Sequence, residues 1–315
     1  MKDQYGRNIN YMRVSVTDRC NLRCTYCMPA EGVPLCSHDD ILRVEEIDSI
    51  IRTGASLGIN KVRITGGEPL IRRGILKIVE NTVNTPGISS VCMTTNGILL
   101  PQYATSLKEL GLERLNISLD TLNPDRYRKL TRGGDLADVR KGLEAAANAG
   151  FTGTKINTVL IGGINDDEIP ALAALSQDHE LSVRFIELMP MGQCMDWPEE
   201  RFLANSSVLT ALPQLEPAGT DGVTRLYRLP GAKGTIGLIS PMSAHFCPDC
   251  NRIRITSDGR LKPCLHSDTE INLKGIPEEE LLPVMEEAVY RKPSRHRLTE
   301  THHSESHRTM NAIGG

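Results

Sequence analysis

The chain has 315 residues, of which 39% are hydrophobic and 24% charged, and its formal net charge is −3. That balance fits a protein with a sizeable core and excludes both disorder and a global basic field for polyanions. Aromatic residues are only 4%, too few for platforms that stack single-stranded nucleic acid, and no stretch approaches the ~20 apolar residues that cross a bilayer.

β-rich runs at 11–16, 61–65, 90–94, 114–119, 154–160 and 182–188 alternate with helix-period segments at 44–57, 74–83, 102–110, 136–149 and 167–175. Gly58, Gly111 and Gly150 each follow a helix where a left-handed cap belongs. The repeated βα unit predicts an α/β fold with a parallel sheet and outer helices. A closed barrel of this kind needs eight units, so the predicted one is incomplete and open. Polar residues gather where its strands end. Cys20, Cys24 and Cys27 follow the first run, Gly66-Gly67-Glu68-Pro69 the second, and Thr94-Thr95-Asn96-Gly97 the third. Ser118 and Asp120 close the fourth, and Glu187 and Met189 close the sixth. Active sites of parallel barrels lie on that carboxyl-end face.

Beyond Met189 the rhythm changes to short alternating runs at 224–229, 235–240, 252–256 and 260–264, read as antiparallel strands or hairpins with a turn at Ser257-Asp258-Gly259. A helix is predicted over 278–291. The remaining tail carries His296, His302, His303 and His307 and reads as solvated. Residues 9–188 are therefore expected to form one unit, and residues 189–315 a C-terminal α+β domain covering the open side of the barrel.

Nine cysteines cannot all pair internally. Clustered thiols in a chain without an apolar leader point to metal sites in the reducing cytoplasm. The spacing Cys20-x3-Cys24-x2-Cys27 supplies three thiolates and no fourth. A cube held by three cysteines keeps one iron open, and an open position is where a ligand binds and reacts. Cys247-x2-Cys250-x13-Cys264 is a second set of three. A structural zinc with His266 or His245 is one reading of it. Arg252 and Arg254, pointing to one face between those cysteines, favour an anion site beside a second open cube. Cys36, Cys92 and Cys194 read as small apolar fillers.

Together these residues resemble the GTP 3′,8-cyclase family of radical S-adenosylmethionine enzymes, which act first in molybdenum-cofactor (molybdopterin) biosynthesis. The first cysteine run with Tyr26 is the superfamily hallmark, and residues 66–69 match its motif for the methionyl amine. Asn116-Ile117-Ser118-Leu119-Asp120, the run from Cys247 to Arg254, and terminal Gly314-Gly315 narrow the match. The resemblance implies an incomplete (βα)6 TIM-like radical SAM barrel and two 4Fe–4S clusters. One would bind S-adenosylmethionine through its open iron, and the other would bind GTP. A 5′-deoxyadenosyl radical would take hydrogen from C3′ of GTP, and the sugar carbon would then attack C8 of guanine.

By the same resemblance, Tyr26, Gly67, Ser118 and Met189 contact S-adenosylmethionine. Arg13, Arg63, Thr94, Lys155, Arg252 and Arg254 contact GTP, with Lys61 and Arg184 as weaker inclusions. Gly314 and Gly315 enter the active site as a catalytic tail. A cyclic pyranopterin monophosphate synthase would take the product, a flavodoxin-like reductant would supply electrons, and a homodimer is allowed. No nucleic acid and no membrane are expected as partners. Gly231-Ala232-Lys233-Gly234-Thr235 fails the P-loop spacing, so cations on the strands must hold the triphosphate at the barrel mouth. Two readings are open for Glu68, as amine acceptor or turn cap, and for Asp120, as ligand group or helix cap. Thr95 and Asn96 share that ambiguity. A peptide-modifying radical enzyme and a non-catalytic zinc or iron–sulfur sensor are the competing functions.

Overall fold

Most strands of the first half alternate an apolar residue with a polar one, and this alternation decides how the barrel is built. Strand β1 (Tyr11–Ser15) buries Met12 and Val14 under the helices and turns Tyr11, Arg13 and Ser15 to the other face. The computed structural model describes residues 1–33, 37, 39–301 and 303–314. Cys36, His302 and Gly315 lie outside the described residues. The chain continues through α1 (Val44–Ser56), β2 (Lys61–Thr65), α2 (Ile75–Val83), β3 (Ser90–Thr95) and α3 (Leu100–Glu109). Then come β4 (Arg114–Ser118), α4 (Pro124–Thr131), α5 (Leu136–Asn148), β5 (Lys155–Leu160), α6 (Ile169–Asp178) and β6 (Ser182–Glu187). β1 to β6 pair in chain order and all run parallel. The polar faces of these strands look into the barrel, where an ordinary barrel of this class stacks branched apolar residues.

Helix α4 was not expected from the sequence. Its eight residues are mostly polar, so no apolar stripe marks it, yet Asn123 caps it by accepting from Arg126 N at 3.1 Å and Pro124 opens its first turn. Its task is local: Thr131 O accepts from Arg23 N at 3.1 Å and Leu130 O from Thr25 N at 2.8 Å. Both donors belong to the first cysteine loop.

The second half is α7 (Ser206–Ala211), β7 (Glu216–Asp221), β8 (Thr224–Arg228), β9 (Thr235–Ile239), β10 (Arg252–Ile255), β11 (Arg260–Lys262), β12 (Ile271–Asn272), α8 (Glu278–Tyr290), α9 (Leu298–Thr301) and α10 (Met310–Ile313). Its strands extend one twelve-stranded sheet in the order β12-β11-β10-β1-β2-β3-β4-β5-β6-β9-β8-β7. The expectation of antiparallel hairpins holds for β10 with β11 and for β8 with β9, but β10 runs parallel to β1 and β9 parallel to β6. Ile253, Ile255, Ile236 and Leu238 join the same core as the first six strands, and their burial selects this arrangement. β7, rich in Gly, Pro and acids, and the two-residue β12 were not anticipated.

The polar tail is not solvated. Ser304, Ser306, Asn311 and Ile313 are buried. Ser304 N donates to Pro190 O at 3.0 Å, and Asn311 Nδ2 donates to Asp18 O at 2.9 Å. Specific hydrogen bonds replace the apolar pattern that a sequence reading needs in order to see packing.

Candidate active site

At the carboxyl end of the strands, the first cysteine loop is fastened from two sides. Gly67 N donates to Thr17 O and Glu68 N to Arg19 O, both at 2.8 Å, so the Gly-Gly turn after β2 pairs with the start of the cysteine loop. A Cβ at Gly67 would run into the carbonyl oxygen of Arg19, so only glycine allows this approach. From the other side, Arg132 Nη1 donates to Met28 O at 2.7 Å. Cys27 N and Met28 N both return to Cys24 O, forming a single turn that carries the last two thiols.

The loop borders a cavity of about 200 Å³ into which all three thiols open, and Tyr26, Gly67, Ser118 and Met189 line it as well. Thr94 borders the same space. Burial pushes the Cys20 thiol up to about 11 and Cys27 up to about 12, and it raises Cys24 well above the usual thiol range. Three such thiols stay protonated without a cation and release protons when a metal centre binds. Leu22 N lies 3.4 Å from Cys20 Sγ, an N–H aimed at the future thiolate. Cys194, read as a filler, also borders the cavity and directs its thiol to Tyr26 O at 3.4 Å.

Glu68 and Asp120, each with two readings, both make positioning contacts within the chain. Glu68 accepts from Leu70 N at 3.0 Å, Thr95 Oγ1 at 2.7 Å and Asn96 N at 2.7 Å, so it is the cap that ties the loops after β2 and β3 together. Burial raises its carboxyl to about 7. Asp120 accepts from Tyr26 Oη at 2.6 Å and from Val159 N at 2.9 Å, and its carboxyl is raised by burial to about 6. It orients Tyr26 and caps no helix. Asn96 donates to Asn21 Oδ1 at 2.7 Å, next to Cys20.

The cations expected at the barrel mouth lie deeper, inside the barrel. Register places Arg254 beside Arg13 and Arg13 beside Arg63, three guanidinium groups on adjacent strands. Arg254 therefore extends the row across β10, and Arg252, two residues earlier beside Tyr11, stands one step toward the amino end. Arg63 donates to Tyr11 Oη and, at 3.3 Å, to Thr94 Oγ1, while Arg254 donates to Gly314 O at 2.8 Å. Burial and the neighbouring guanidinium of Arg252 lower Arg254 to about 10, and burial with Arg254 beside it lowers Arg13 strongly. Packing like charges this way is unfavourable, and an anion beside the row relieves it.

Asp221, which the sequence did not bring to notice, reaches in from β7. Its carboxylate accepts from Lys155 Nζ at 2.6 Å and also from Arg184. Glu187, noted only as a strand end, accepts from Asn205 N, Met242 N and Ser243 N at 2.9–3.0 Å and fixes the second half onto β6.

The second triad stands at the opposite end of the strands. β10 runs parallel to β1 with Arg252 beside Tyr11, so Cys250 lies at the amino end of that pair. β11 returns antiparallel with Lys262 beside Arg254, which brings Cys264 back to the same end. Burial raises the Cys250 thiol, but Lys292 and Arg252 outweigh it and leave Cys250 lowered to about 7. Burial raises Cys247, and it holds His266, near His296, down to about 3 and so neutral. Among the described residues no three His, Cys, Asp or Glu side chains converge as a single metal ion demands. A cube offers a separate iron to each thiolate, so its ligands stand apart.

Residues 14–175 match the model of the radical SAM superfamily, and residues 181–298 match Molybdenum Cofactor Synthesis C. A GTP 3′,8-cyclase of Alkaliphilus metalliredigens (strain QYMF) is 52% identical over 320 residues, covering 100% of both chains. The chain belongs to the GTP 3′,8-cyclase family. The enzyme of that name from Alkaliphilus oremlandii (strain OhILAs) is 51% identical, again over 100% of both. Among solved structures, SuiB of Streptococcus suis bound to S-adenosylmethionine aligns with a TM-score of 0.62 at 16% identity. It covers 90% of this chain and 67% of that one, a likeness of fold. As a radical SAM enzyme, this member of the GTP 3′,8-cyclase family takes S-adenosylmethionine and a 4Fe–4S cluster. The half-buried triad lining one cavity fits that cluster.

Proposed function

We propose that this chain cyclises GTP to (8S)-3′,8-cyclo-7,8-dihydroguanosine 5′-triphosphate, the first step of molybdopterin biosynthesis. The observation that carries the reading is the row Arg254, Arg13 and Arg63, laid inside the barrel between one cysteine triad and the other. The 4Fe–4S cluster and S-adenosylmethionine, when bound, supply one-electron chemistry that ends in hydrogen abstraction. Cys20, Cys24 and Cys27 hold that cluster, and Tyr26, Gly67, Ser118 and Met189 border the S-adenosylmethionine site. Tyr26, fixed by Asp120, helps wall the cavity from water, which a reactive radical requires.

The phosphates of GTP meet Arg13, Arg63, Thr94, Lys155, Arg252 and Arg254. Asp221 keeps Lys155 and Arg184 paired until those phosphates arrive. Cys247, Cys250 and Cys264 would hold a second 4Fe–4S cluster, which would supply a metal anchor at the guanine end of the substrate. Gly314, with φ of 75°, abuts Thr65 and Ser15, where a Cβ would collide with Thr65 Oγ1. It brings the catalytic tail, ending in Gly315, to the substrate. Residues 9–188 and 189–315 act as two functional units of one sheet. A flavodoxin-like reductant, a cyclic pyranopterin monophosphate synthase acting on the product, a homodimer and a cytoplasmic location complete the reading.

Anaerobic incubation with S-adenosylmethionine, a low-potential reductant and GTP tests it. The cyclised nucleotide and 5′-deoxyadenosine should appear together; S-adenosylmethionine cleavage that GTP neither stimulates nor couples to a nucleotide product contradicts it.

Lys155 gives the reading a pH signature. Burial, then the adjacent Arg184, lower its ammonium to about 8. Between that value and 10.5, the unfolded chain holds a proton that the folded one lacks, so the free protein gains stability as pH rises through this window. A triphosphate needs the charged form, so GTP binding should take up a proton above pH 8. Calorimetry at about pH 8.5 in two buffers of different ionisation enthalpy should show uptake that Lys155→Met abolishes. Equal uptake in the variant would remove Lys155 from the site.

A further inference from the structure

The tail reaches the first cysteine triad through one anchor that the proposed function leaves unused. Arg308 lies between two carboxylates and forks to both. Its Nε and Nη2 donate to Glu270 Oε1 and Oε2 at 2.7 Å each, and its Nη1 and Nη2 donate to Asp258 Oδ1 and Oδ2 at 2.9 and 2.8 Å. Asp258 sits in the turn joining β10 to β11, where Thr256 Oγ1 also donates to it at 2.5 Å. Glu270 precedes β12 and also accepts from Lys262 Nζ at 3.1 Å. Both carboxylates are therefore rooted in the sheet that carries the second triad. An arginine held by two forks has its direction as well as its place fixed.

Three residues further along, the chain touches the first triad. Met310 and Asn311 border the cavity into which Cys20, Cys24 and Cys27 open. Asn311 Nδ2 donates to Asp18 O at the head of the cysteine loop, and Asn311 and Cys27 line the same cavity. Polar chain held beside a cluster changes both its hydrogen bonding and its exposure to water, and both set the reduction potential.

We propose that Arg308 is a positioning residue whose double fork to Asp258 and Glu270 seats the tail against Cys27, so that tail docking sets the reduction potential of the first 4Fe–4S cluster. Seating of the tail and readiness of the cluster to accept an electron are then one event. The inference needs the cluster of the radical SAM family but not the GTP reading, because neither measurement below uses GTP.

The test is a pair of measurements on the reconstituted full chain carrying Arg308→Gln or Arg308→Lys. Hydrogen exchange at residues 310–313 should be at least ten-fold faster in Arg308→Gln than in the parent. The midpoint potential of the first cluster should shift away from the parent's value in the same variant. Arg308→Lys keeps the charge but cannot fork to both carboxylates, and it should fall between the two in both measurements. Should Arg308→Gln fail to fold, Asp258→Asn opens the clamp from its other side and carries the same expectation. Unchanged tail exchange overturns the clamp, and a released tail with an unchanged potential overturns the link to Cys27.

Discussion

Cys24→Ala is expected to end 5′-deoxyadenosine formation while leaving the polypeptide folded. Cys24 is the middle thiol of the triad, and its carbonyl oxygen closes the turn that carries Cys27. Alanine keeps that backbone and removes only the sulfur, so the loop survives with two thiolates. Replacing an outer partner of a metal ligand typically costs 10–100-fold, and loss of the ligand itself should cost more than about 100-fold. Iron content should drop by one cluster, about four irons. A site that keeps three thiols protonated gains nothing from them unless a cation replaces the protons. Full turnover by the variant would remove the first triad from the chemistry.

Cys264→Ala should separate the two ends of the barrel. Cleavage of S-adenosylmethionine is assigned to the carboxyl end, so it should persist in this variant, uncoupled from GTP. GTP affinity should fall and cyclisation should stop, because the guanine end loses its anchor while the arginine row still attracts the phosphates. Loss of one charge-assisted or metal-type contact is worth about 1.5–3 kcal/mol at the least, a ten- to hundred-fold change in Kd. Equilibrium binding of GTP alongside 5′-deoxyadenosine counting tests both halves. Unchanged GTP cyclisation would refute a role for the second triad.

The six-fold βα alternation was legible because most strands write their two faces in period two, and glycines punctuate the helix ends. Gly58, Gly111 and Gly150 indeed adopt φ values of 92°, 91° and 81°. The first cysteine loop and its neighbours at strand ends were equally visible, since a barrel sends every strand end to one face. What stayed hidden is long-range pairing. Nothing local shows that β10 lies parallel to β1, yet that register makes Arg254 a member of one row with Arg13 and Arg63 and sets Arg252 beside Tyr11.

The same lack of local signal hid α4, Asp221 and the tail. α4 is short and polar, and it is held by its cap and by the cysteine loop rather than by an apolar stripe. Asp221 acts through two cations that lie 66 and 37 residues away in sequence. The tail packs through Arg308, Asn311 and Ser304, residue types that composition assigns to solvent. In each case a polar group is buried because a specific partner meets it, and partners are a property of the fold.

EPR of the anaerobically reconstituted chain tests the central claim most directly. Two 4Fe–4S signals are expected, one perturbed by S-adenosylmethionine and the other by GTP. A single cluster that responds to S-adenosylmethionine alone, with the second triad holding zinc or no metal, would contradict the account.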